Sequence, residues 1–189
     1  MLEALLVSTG VVAVAEIGDK TQLLALVLAA RYRKPVPIIL GILVATLANH
    51  ALAAAAGAWL VRALGPETMR WAIGVSFLAM AAWALVPDKL DDGARVPGRL
   101  GAFAATLIAF FLVEMGDKTQ VATVALAAHY EAFVAVVAGT TLGMMIANVP
   151  AVLLGEAAAT RLPLRLVRGV AAGIFAVLGV SALLGLDRF

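Results

Sequence analysis

Long apolar stretches alternate with short polar breaks along the whole chain. Six such stretches can be read, at residues 4–30, 36–61, 68–86, 100–128, 132–155 and 165–186. Each is near or above the roughly 20 residues that an α-helix needs to cross a bilayer. The breaks between them are rich in proline, glycine and charged residues, as turns are. The pattern predicts six transmembrane helices.

The composition supports a membrane protein and excludes several kinds of site. Of the 189 residues, 63% are hydrophobic and 14% are charged, whereas a soluble domain is about 45–50% apolar and about 25% charged. The chain has no cysteine, which excludes disulfides, thiolate metal sites and cysteine nucleophiles. We expect a lipid bilayer around the protein and no nucleic acid partner. The sequence leaves the oligomeric state open, with a homodimer among the possibilities.

Lysine and arginine are distributed unequally between the two sets of connections. The connections after the first, third and fifth stretches carry nine: Arg31, Arg33, Lys34, Lys89, Arg95, Arg99, Arg161, Arg165 and Arg168. The opposite side carries Arg62, Arg70 and Arg188. The positive-inside rule then predicts a multi-pass membrane protein with the nine-residue side in the cytoplasm and both termini on the outer face. Because the first residues lack a basic segment and include Glu3, we interpret residues 1–30 as mature protein, not as a signal peptide.

One eight-residue motif occurs twice, each time inside an apolar stretch. Residues 15–22 read AEIGDKTQ and residues 113–120 read VEMGDKTQ, so that the shared letters recur at a step of 98. Gly41 recurs as Gly139, and Asn49 recurs as Asn148. The repeat predicts two three-helix halves, at 1–86 and 100–189, joined by a cytoplasmic linker at 87–99. Because three is odd, the second half would enter the membrane from the opposite side, giving the inverted repeat of many secondary transporters.

The spacing within the motif allows two local structures. On a continuous helix, residues three and four apart share one face, which would align Glu, Asp and Lys. The glycine between the two acids instead permits close backbone approach or a local break that exposes carbonyl oxygens. The glycine pairs Gly139/Gly143 and Gly169/Gly173 have a spacing that allows close helix packing.

The energetic cost of the motif indicates a function. An ionised residue at the centre of a membrane helix costs about 2.5–3.5 kcal/mol, and the two motifs contain six such residues. A purely structural interpretation, in which buried Glu–Lys pairs hold two helices together, is weaker because apolar residues would pack at least as well.

The charges of the motif match a divalent cation. Glu16, Asp19, Glu114 and Asp117, taken with two lysines, leave a charge of −2, which one divalent cation or two protons would balance. Oxygen ligands suit Mg²⁺, Ca²⁺ and Mn²⁺ better than copper or zinc. Burial disfavours ionised carboxylates, so protons would compete with the metal for the same oxygens. This competition is a physical route to metal/proton antiport.

The paired motifs EIGDKT and EMGDKT resemble a known membrane family. Twin Glu-x-Gly-Asp-Lys-Thr/Ser motifs, one in each three-helix half, are typical of the MneA-type bacterial manganese exporters and the eukaryotic Golgi manganese/calcium–proton exchangers. The resemblance covers nearly the whole chain. It implies export of Mn²⁺, with Ca²⁺ as the other candidate ion, in exchange for H⁺. It also implies that Glu16, Asp19, Glu114 and Asp117 bind the metal.

Other polar residues of the two halves are candidates for supporting roles. Three matched pairs offer oxygen atoms as additional ligands: Asn49 and Asn148, Thr21 and Thr119, Gln22 and Gln120. The asparagines could equally tie helices together, and the threonine hydroxyls could bond to their own helix backbone.

The lysines, one histidine and two methionines leave their roles open. Lys20 and Lys118 could balance the charge of the acids or form a permanent structural tie. His50 lies within an apolar stretch and could relay protons or be held by a hydrogen bond. Met144 and Met145 offer soft sulfur, although core packing is the commoner role of methionine.

Three other functions fit the sequence less well. An intramembrane aspartyl protease would have a Gly-x-Gly-Asp core, whereas Glu16 and Glu114 occupy the place of its first glycine, so we predict no enzyme activity. An alternative is a proton-coupled exporter of a small organic cation or an amino acid, which needs a larger, aromatic-lined pocket than the small aliphatic residues here suggest. The linker segment DKLDDG lacks the ligand pattern of a calcium-binding loop. We predict no prosthetic group.

Overall fold

The computed structural model describes residues 1–87, 100–154 and 163–186. Within these ranges the chain forms α-helices and no β-strand. In chain order the helices are α1 Leu2–Glu16, α2 Lys20–Tyr32, α3 Pro35–Leu64, α4 Pro66–Ala84, α5 Ala102–Glu114, α6 Lys118–Tyr130, α7 Phe133–Leu154 and α8 Leu164–Leu184. The predicted linker lies outside the described residues except for Pro87, and so do Arg161 and Arg188.

Three helices are long and apolar enough to cross a membrane. They are α3, α7 and α8, with 30, 22 and 21 residues and mean hydropathies of 2.0, 1.7 and 2.0. Helix α3 begins at Pro35, a position where proline costs no hydrogen bond because the first turn has no internal acceptor for it. The length of α3, about 45 Å, exceeds the hydrocarbon core of a bilayer.

The distribution of side chains is that of a protein in lipid. Large apolar side chains face outward, among them Leu52, Trp59 and Val177, which are 61%, 66% and 65% exposed. Charged and polar side chains such as Glu16 and His50 are fully buried. Water favours the opposite arrangement, since exposed apolar area is costly there. The fold is therefore all-helical and of membrane type, as predicted.

Each motif interrupts its apolar stretch and divides it into two shorter helices. Helix α1 ends at Glu16 and α2 begins at Lys20, while α5 ends at Glu114 and α6 begins at Lys118. The glycine in each gap, Gly18 or Gly116, has a φ of +79° or +76°, which other residues rarely adopt. The local break is thus confirmed. The alternative of one continuous helical face is wrong, because the chain leaves the helical path between the two acids.

The broken helices of each half pack against the long helix of the other half. Helix α1 contacts α7 at Gly139, where an added Cβ would lie 2.9 Å from the Cβ of Ser8. Helix α5 contacts α3 at Gly41, where an added Cβ would lie 2.8 Å from the Cβ of Thr106. Ser8 and Thr106 are also 98 residues apart. Two matched glycines therefore bring both motifs into one interior.

The two glycine pairs singled out for packing behave differently. A Cβ at Gly143 would lie 2.6 Å from the carbonyl oxygen of Thr9, so the close contact expected at Gly139/Gly143 is confirmed. Gly169 and Gly173 have no atom within 4 Å of an added Cβ, and both face outward. The packing role predicted for this second pair is wrong within the described residues, because spacing alone does not tell which face of α8 meets a neighbour.

Candidate metal centre

The four motif acids occupy matched places at the two breaks. Glu16 and Glu114 are the last residues of α1 and α5, and Asp19 and Asp117 are the N-caps of α2 and α6. The two caps have nearly the same backbone, with φ −80° in both and ψ 167° and 163°. All four side chains are at most 1% exposed. The motif therefore places two acids on either side of a chain break inside the protein.

Three of the four acids converge. One carboxyl oxygen from each of Glu16, Asp19 and Asp117 lies within 4.8 Å of the other two. Oxygens on opposite sides of a Ca²⁺ ion, bound at 2.3–2.6 Å, are separated by about 4.6–5.2 Å, so this spacing suits several ligands of one ion. Glu114 lies outside this group of three. The acids of both halves thus meet, although the fourth is set apart.

The lysines connect the two motifs to each other. Lys20 Nζ lies 2.9 Å from Asp117 Oδ1, and Lys118 Nζ contacts Asp19 Oδ1. Each lysine therefore pairs with the aspartate of the other motif. The two pairs differ in access, because the side chain of Lys118 is 4% exposed and that of Lys20 is 24% exposed.

Glu114 is held by two consecutive residues of α3. His50 Nε2 lies 2.7 Å from Glu114 Oε1, and both side chains are fully buried. Asn49 Nδ2 donates to the carbonyl oxygen of Phe111 at 3.1 Å and lies 3.4 Å from Glu114 Oε2. His50 thus lies against a site acid, but neither of its ring nitrogens has a hydrogen-bond partner among the described residues, so the hydrogen bond considered for it is not found there.

Glu16 has a different partner from its counterpart. The hydroxyl of Thr21 donates to Glu16 Oε2, and Glu16 Oε1 has no hydrogen-bond partner among the described residues. In the other motif, the Thr119 hydroxyl donates to Asp117 Oδ2 at 3.3 Å. Both threonines are buried beside the acids, where they orient carboxyl oxygens.

The glutamines brace the two breaks. Gln22 Oε1 accepts a hydrogen bond from the backbone N–H of Gly18 at 2.9 Å, and Gln120 Oε1 accepts one from Gly116 at 2.8 Å. Gln22 Nε2 also donates to the carbonyl oxygen of Ala147 at 3.0 Å, which ties the first motif to α7. Their oxygens are thus engaged with backbone amides that the breaks would otherwise leave without a helical partner.

The two asparagines keep an amide oxygen available. Both side chains are fully buried, and neither Asn49 Oδ1 nor Asn148 Oδ1 has a hydrogen-bond partner in the described part of the chain. Asn148 Nδ2 donates to the carbonyl oxygen of Met144 at 3.0 Å and lies 2.9 Å from its sulfur. Met144 thus contacts Asn148, whereas Met145 packs against the apolar core.

Sequence reasoning did not single out three other buried hydroxyls. Ser8, Thr46 and Thr141 are at most 4% exposed, and their oxygens have no hydrogen-bond partner in the part of the chain that the structure describes. Isolated polar positions within apolar stretches were the available signal, but serine and threonine often bond to their own helix and so give little specificity.

The arrangement favours a small cation. Three convergent carboxylates, two buried amide oxygens and the C-terminal ends of α1 and α5 all present negative charge or partial negative charge to the interior. The lysine pairs supply cations that an entering metal ion or protons can replace.

Comparison with known proteins agrees with this chemistry. The family model described as "Divalent cation/proton antiporter GDT1" matches residues 4–92 and 102–187. The chain belongs to this family of antiporters. The resemblance inferred from the twin motifs is therefore confirmed, and the protein is a membrane transporter by family, not a member of an enzyme class.

Individual relatives from bacteria and plants are similar over most of the chain. A protein of Vibrio cholerae described as "Putative manganese exporter" is 53% identical over 182 residues, which cover 96% of this chain and 90% of that protein. "GDT1-like protein 3" of Oryza sativa subsp. indica is 28% identical over 96% of this chain and 74% of its own length. The Arabidopsis thaliana protein of the same description is 28% identical over 96% of this chain and 71% of its own length. No solved structure matches the chain.

Proposed function

We propose that this antiporter exports Mn²⁺ in exchange for H⁺, with Ca²⁺ as the alternative ion. The observation that carries the proposal is the convergence of Glu16, Asp19 and Asp117, whose oxygens come from both motifs and lie within 4.8 Å of one another. Glu114, at the end of α5 in the same interior, completes the set of four binding acids. The cation is the cargo of the protein, and no prosthetic group takes part.

Charge balance supports the exchange of one divalent cation for protons. Four carboxylates and two lysines leave a charge of −2, which a divalent cation or two protons would cancel. The contacts of Lys118 with Asp19 and of Lys20 with Asp117 hold the aspartates in the absence of another cation. An entering metal displaces the lysine ammonium groups from the carboxylates, and protons compete with the metal because burial disfavours ionised acids.

The preference for Mn²⁺ has two supports. The donor atoms are carboxylate, amide and hydroxyl oxygens, which suit Mn²⁺, Ca²⁺ and Mg²⁺. The Vibrio cholerae relative described as "Putative manganese exporter" shares 53% of its aligned residues with this chain. An inward proton gradient across the bacterial inner membrane would drive export.

Further polar residues contribute to the same site in this proposal. Asn49 and Asn148 supply amide oxygens, and Thr21 and Thr119 orient carboxylates beside the ion. Gln22 and Gln120 hold the two breaks open, and Lys20 and Lys118 balance charge. His50 lies where it can pass a proton to or from Glu114, at 2.7 Å.

The membrane arrangement in this proposal is six spans in two inverted halves with both termini outside. Its supports are the matched breaks at Gly18 and Gly116 and the matched contacts of α1 with α7 and of α5 with α3. Such an arrangement would put the acids at mid-membrane, where transporters with inverted repeats bind their cargo.

Reconstituted transport is the test of this function. Purified protein in liposomes with an imposed pH gradient is supplied with Mn²⁺ or Ca²⁺ separately, and metal uptake and internal pH are followed together. We expect Mn²⁺ to move against the proton flux and Glu16→Gln to abolish the movement. Glu3→Gln, a change of the same kind at an exposed site, is the matched control and should transport normally. A wild-type protein that moves neither ion would overturn the proposal.

A further inference from the structure

The two glutamates of the motifs have matched positions and unmatched surroundings. Glu114 has both carboxyl oxygens in contact with α3, since His50 Nε2 lies 2.7 Å from Oε1 and Asn49 Nδ2 lies 3.4 Å from Oε2. Asn49 is itself fixed to the last turn of α5 through the carbonyl oxygen of Phe111. All of these side chains are fully buried. We call Asn49 and His50 the α3 clamp.

Within the described ranges, the first motif has no equivalent of this clamp. The residue that follows Asn148, as His50 follows Asn49, is Val149. Asn148 directs its amide nitrogen to Met144 on its own helix. Glu16 accepts a hydrogen bond from the Thr21 hydroxyl of its own motif. The difference between the halves therefore comes down to one histidine and the orientation of one asparagine.

The positions of the carboxylates follow the same division. Glu16, which has no clamp, is one of the three convergent acids, whereas Glu114 lies outside them. We propose that His50 is a positioning residue that, with Asn49, holds Glu114 away from the other three carboxylates, so that Glu114 joins the cation only after His50 releases it. This inference rests on the proposed function and assigns unequal roles to two glutamates that the motif makes look equivalent.

A physical reason for such a clamp is the need to release the cargo. Glu114 accepts a hydrogen bond from Asn49 Nδ2 at Oε2 and lies 2.7 Å from His50 Nε2 at Oε1, and polar contacts of a buried carboxylate are little screened. A fourth carboxylate bound permanently to the ion would tighten binding and slow dissociation, whereas transport requires that binding be weak enough for the ion to leave. The clamp opposes that fourth contact and so keeps the affinity for the cation moderate.

The test replaces His50 and separates binding from turnover. His50→Val copies the residue of the other half, and His50→Leu preserves more of the imidazole volume. Both should lower the KM for Mn²⁺ and the maximal rate together, each by about tenfold, because a ground-state complex made tighter lowers both quantities. His50→Gln keeps a polar side chain beside Glu114 and should leave the KM for Mn²⁺ within about twofold of wild type, whatever its effect on the rate. Mn²⁺-dependent proton flux in proteoliposomes gives all of these values.

Several results would overturn the inference. A purely structural role for His50 predicts less folded protein and a lower rate with an unchanged or raised KM, which size-exclusion chromatography and the same assay would reveal. Equal KM values for His50→Gln and His50→Val would also contradict it, because only the valine removes the polar contact with Glu114. If His50→Val does not fold, His50→Leu carries the same expectation. A wild-type protein without transport would instead refute the proposed function, so the two failures can be told apart.

Discussion

The two motifs adopt the same backbone in different surroundings. Gly18 and Gly116 have φ values of +79° and +76°, and each receives a glutamine oxygen on its N–H. At Gly18 an added Cβ would lie 2.6 Å from Leu164 Cδ2, whereas at Gly116 no atom of the described residues would lie within 4 Å of it. The first break is covered by the start of α8, and the second is open.

The lysines and glutamates also differ between the two copies, but in the opposite sense. Lys118 is 4% exposed and Lys20 is 24% exposed, although each pairs with an aspartate of the opposite motif. Glu114 is held by the α3 clamp, and Glu16 is not. The eight-residue motif thus determines the local break, while the surrounding helices determine how accessible each part of the two copies is. Four comparisons of matched variants test this division.

The largest effect is expected from the lysines. Lys118→Met should destabilise the protein by about 3–5 kcal/mol, because it removes a cationic partner from the buried Asp19. Lys20→Met should cost clearly less, since Lys20 is partly exposed and its pair is better screened. Thermal unfolding in detergent, followed by tryptophan fluorescence, measures both, with the exposed Lys34→Met as control. Equal losses of stability in the two variants would mean that the difference in solvent exposure between the two lysines has no energetic consequence.

The aspartates should instead behave alike. Asp19→Asn and Asp117→Asn should each reduce Mn²⁺ transport by on the order of 100-fold, equivalent to about 2.8 kcal/mol, because both acids face the same ion. Asparagine is also a good N-cap, so α2 and α6 should still form. Initial rates in proteoliposomes provide the measurement. Tolerance of one substitution with loss at the other would contradict a site shared between the halves.

The glycines test the covered break against the open one. Gly18→Ala and Gly116→Ala should each cost about 1–2 kcal/mol of stability, because alanine is strained at positive φ. Gly18→Ala should cost more, since its methyl group meets Leu164. Adding Leu164→Ala should remove the excess and leave the shared strain. An equal loss of stability in the two single variants would show that the Leu164 side chain moves aside without a measurable energetic cost.

The smallest effect is expected from the glutamines. Gln22 makes hydrogen bonds to Gly18 and to Ala147 of the other half, whereas the described contact of Gln120 is to Gly116. Gln22→Leu should therefore destabilise the protein by about 1 kcal/mol more than Gln120→Leu, the typical net contribution of one hydrogen bond. Unfolding curves of the two variants, recorded under the same conditions, measure this difference in stability. A larger loss of stability for Gln120→Leu would contradict the stabilising role assigned to the hydrogen bond between Gln22 and Ala147 of α7.

The overall character of the fold could be predicted because it follows from local patterns. Apolar length predicted membrane-spanning helices, of which α3, α7 and α8 have the length and apolarity to cross a bilayer. The repeated glycine between two acids allowed the break. The convergence of acids from both motifs also followed, since buried carboxylates at matched positions are costly unless they share a cation. The continuous helical face was wrong for a local reason: a glycine at positive φ ends the geometry on which the spacing rule depends.

The pairing of side chains could not be predicted in the same way. The sequence left the partner of each lysine open, and Lys20 pairs with Asp117 because the motifs face each other across the halves. Gly139/Gly143 and Gly169/Gly173 have the same spacing, and only the neighbouring helix distinguishes them. The difference between His50 and Val149 is visible in the sequence. Its consequence depends on the contact between His50 of α3 and Glu114, which the sequence does not reveal.

The most direct test of one site shared by two motifs is the stoichiometry of Mn²⁺ bound to the purified protein. Electron paramagnetic resonance of free Mn²⁺ during titration counts the ions bound per chain in wild type, Asp19→Asn and Asp117→Asn. A shared site predicts one tightly bound ion in wild type and its loss in both variants. Two ions in wild type, with one retained in each variant, would mean that each motif binds its own cation and would contradict the account.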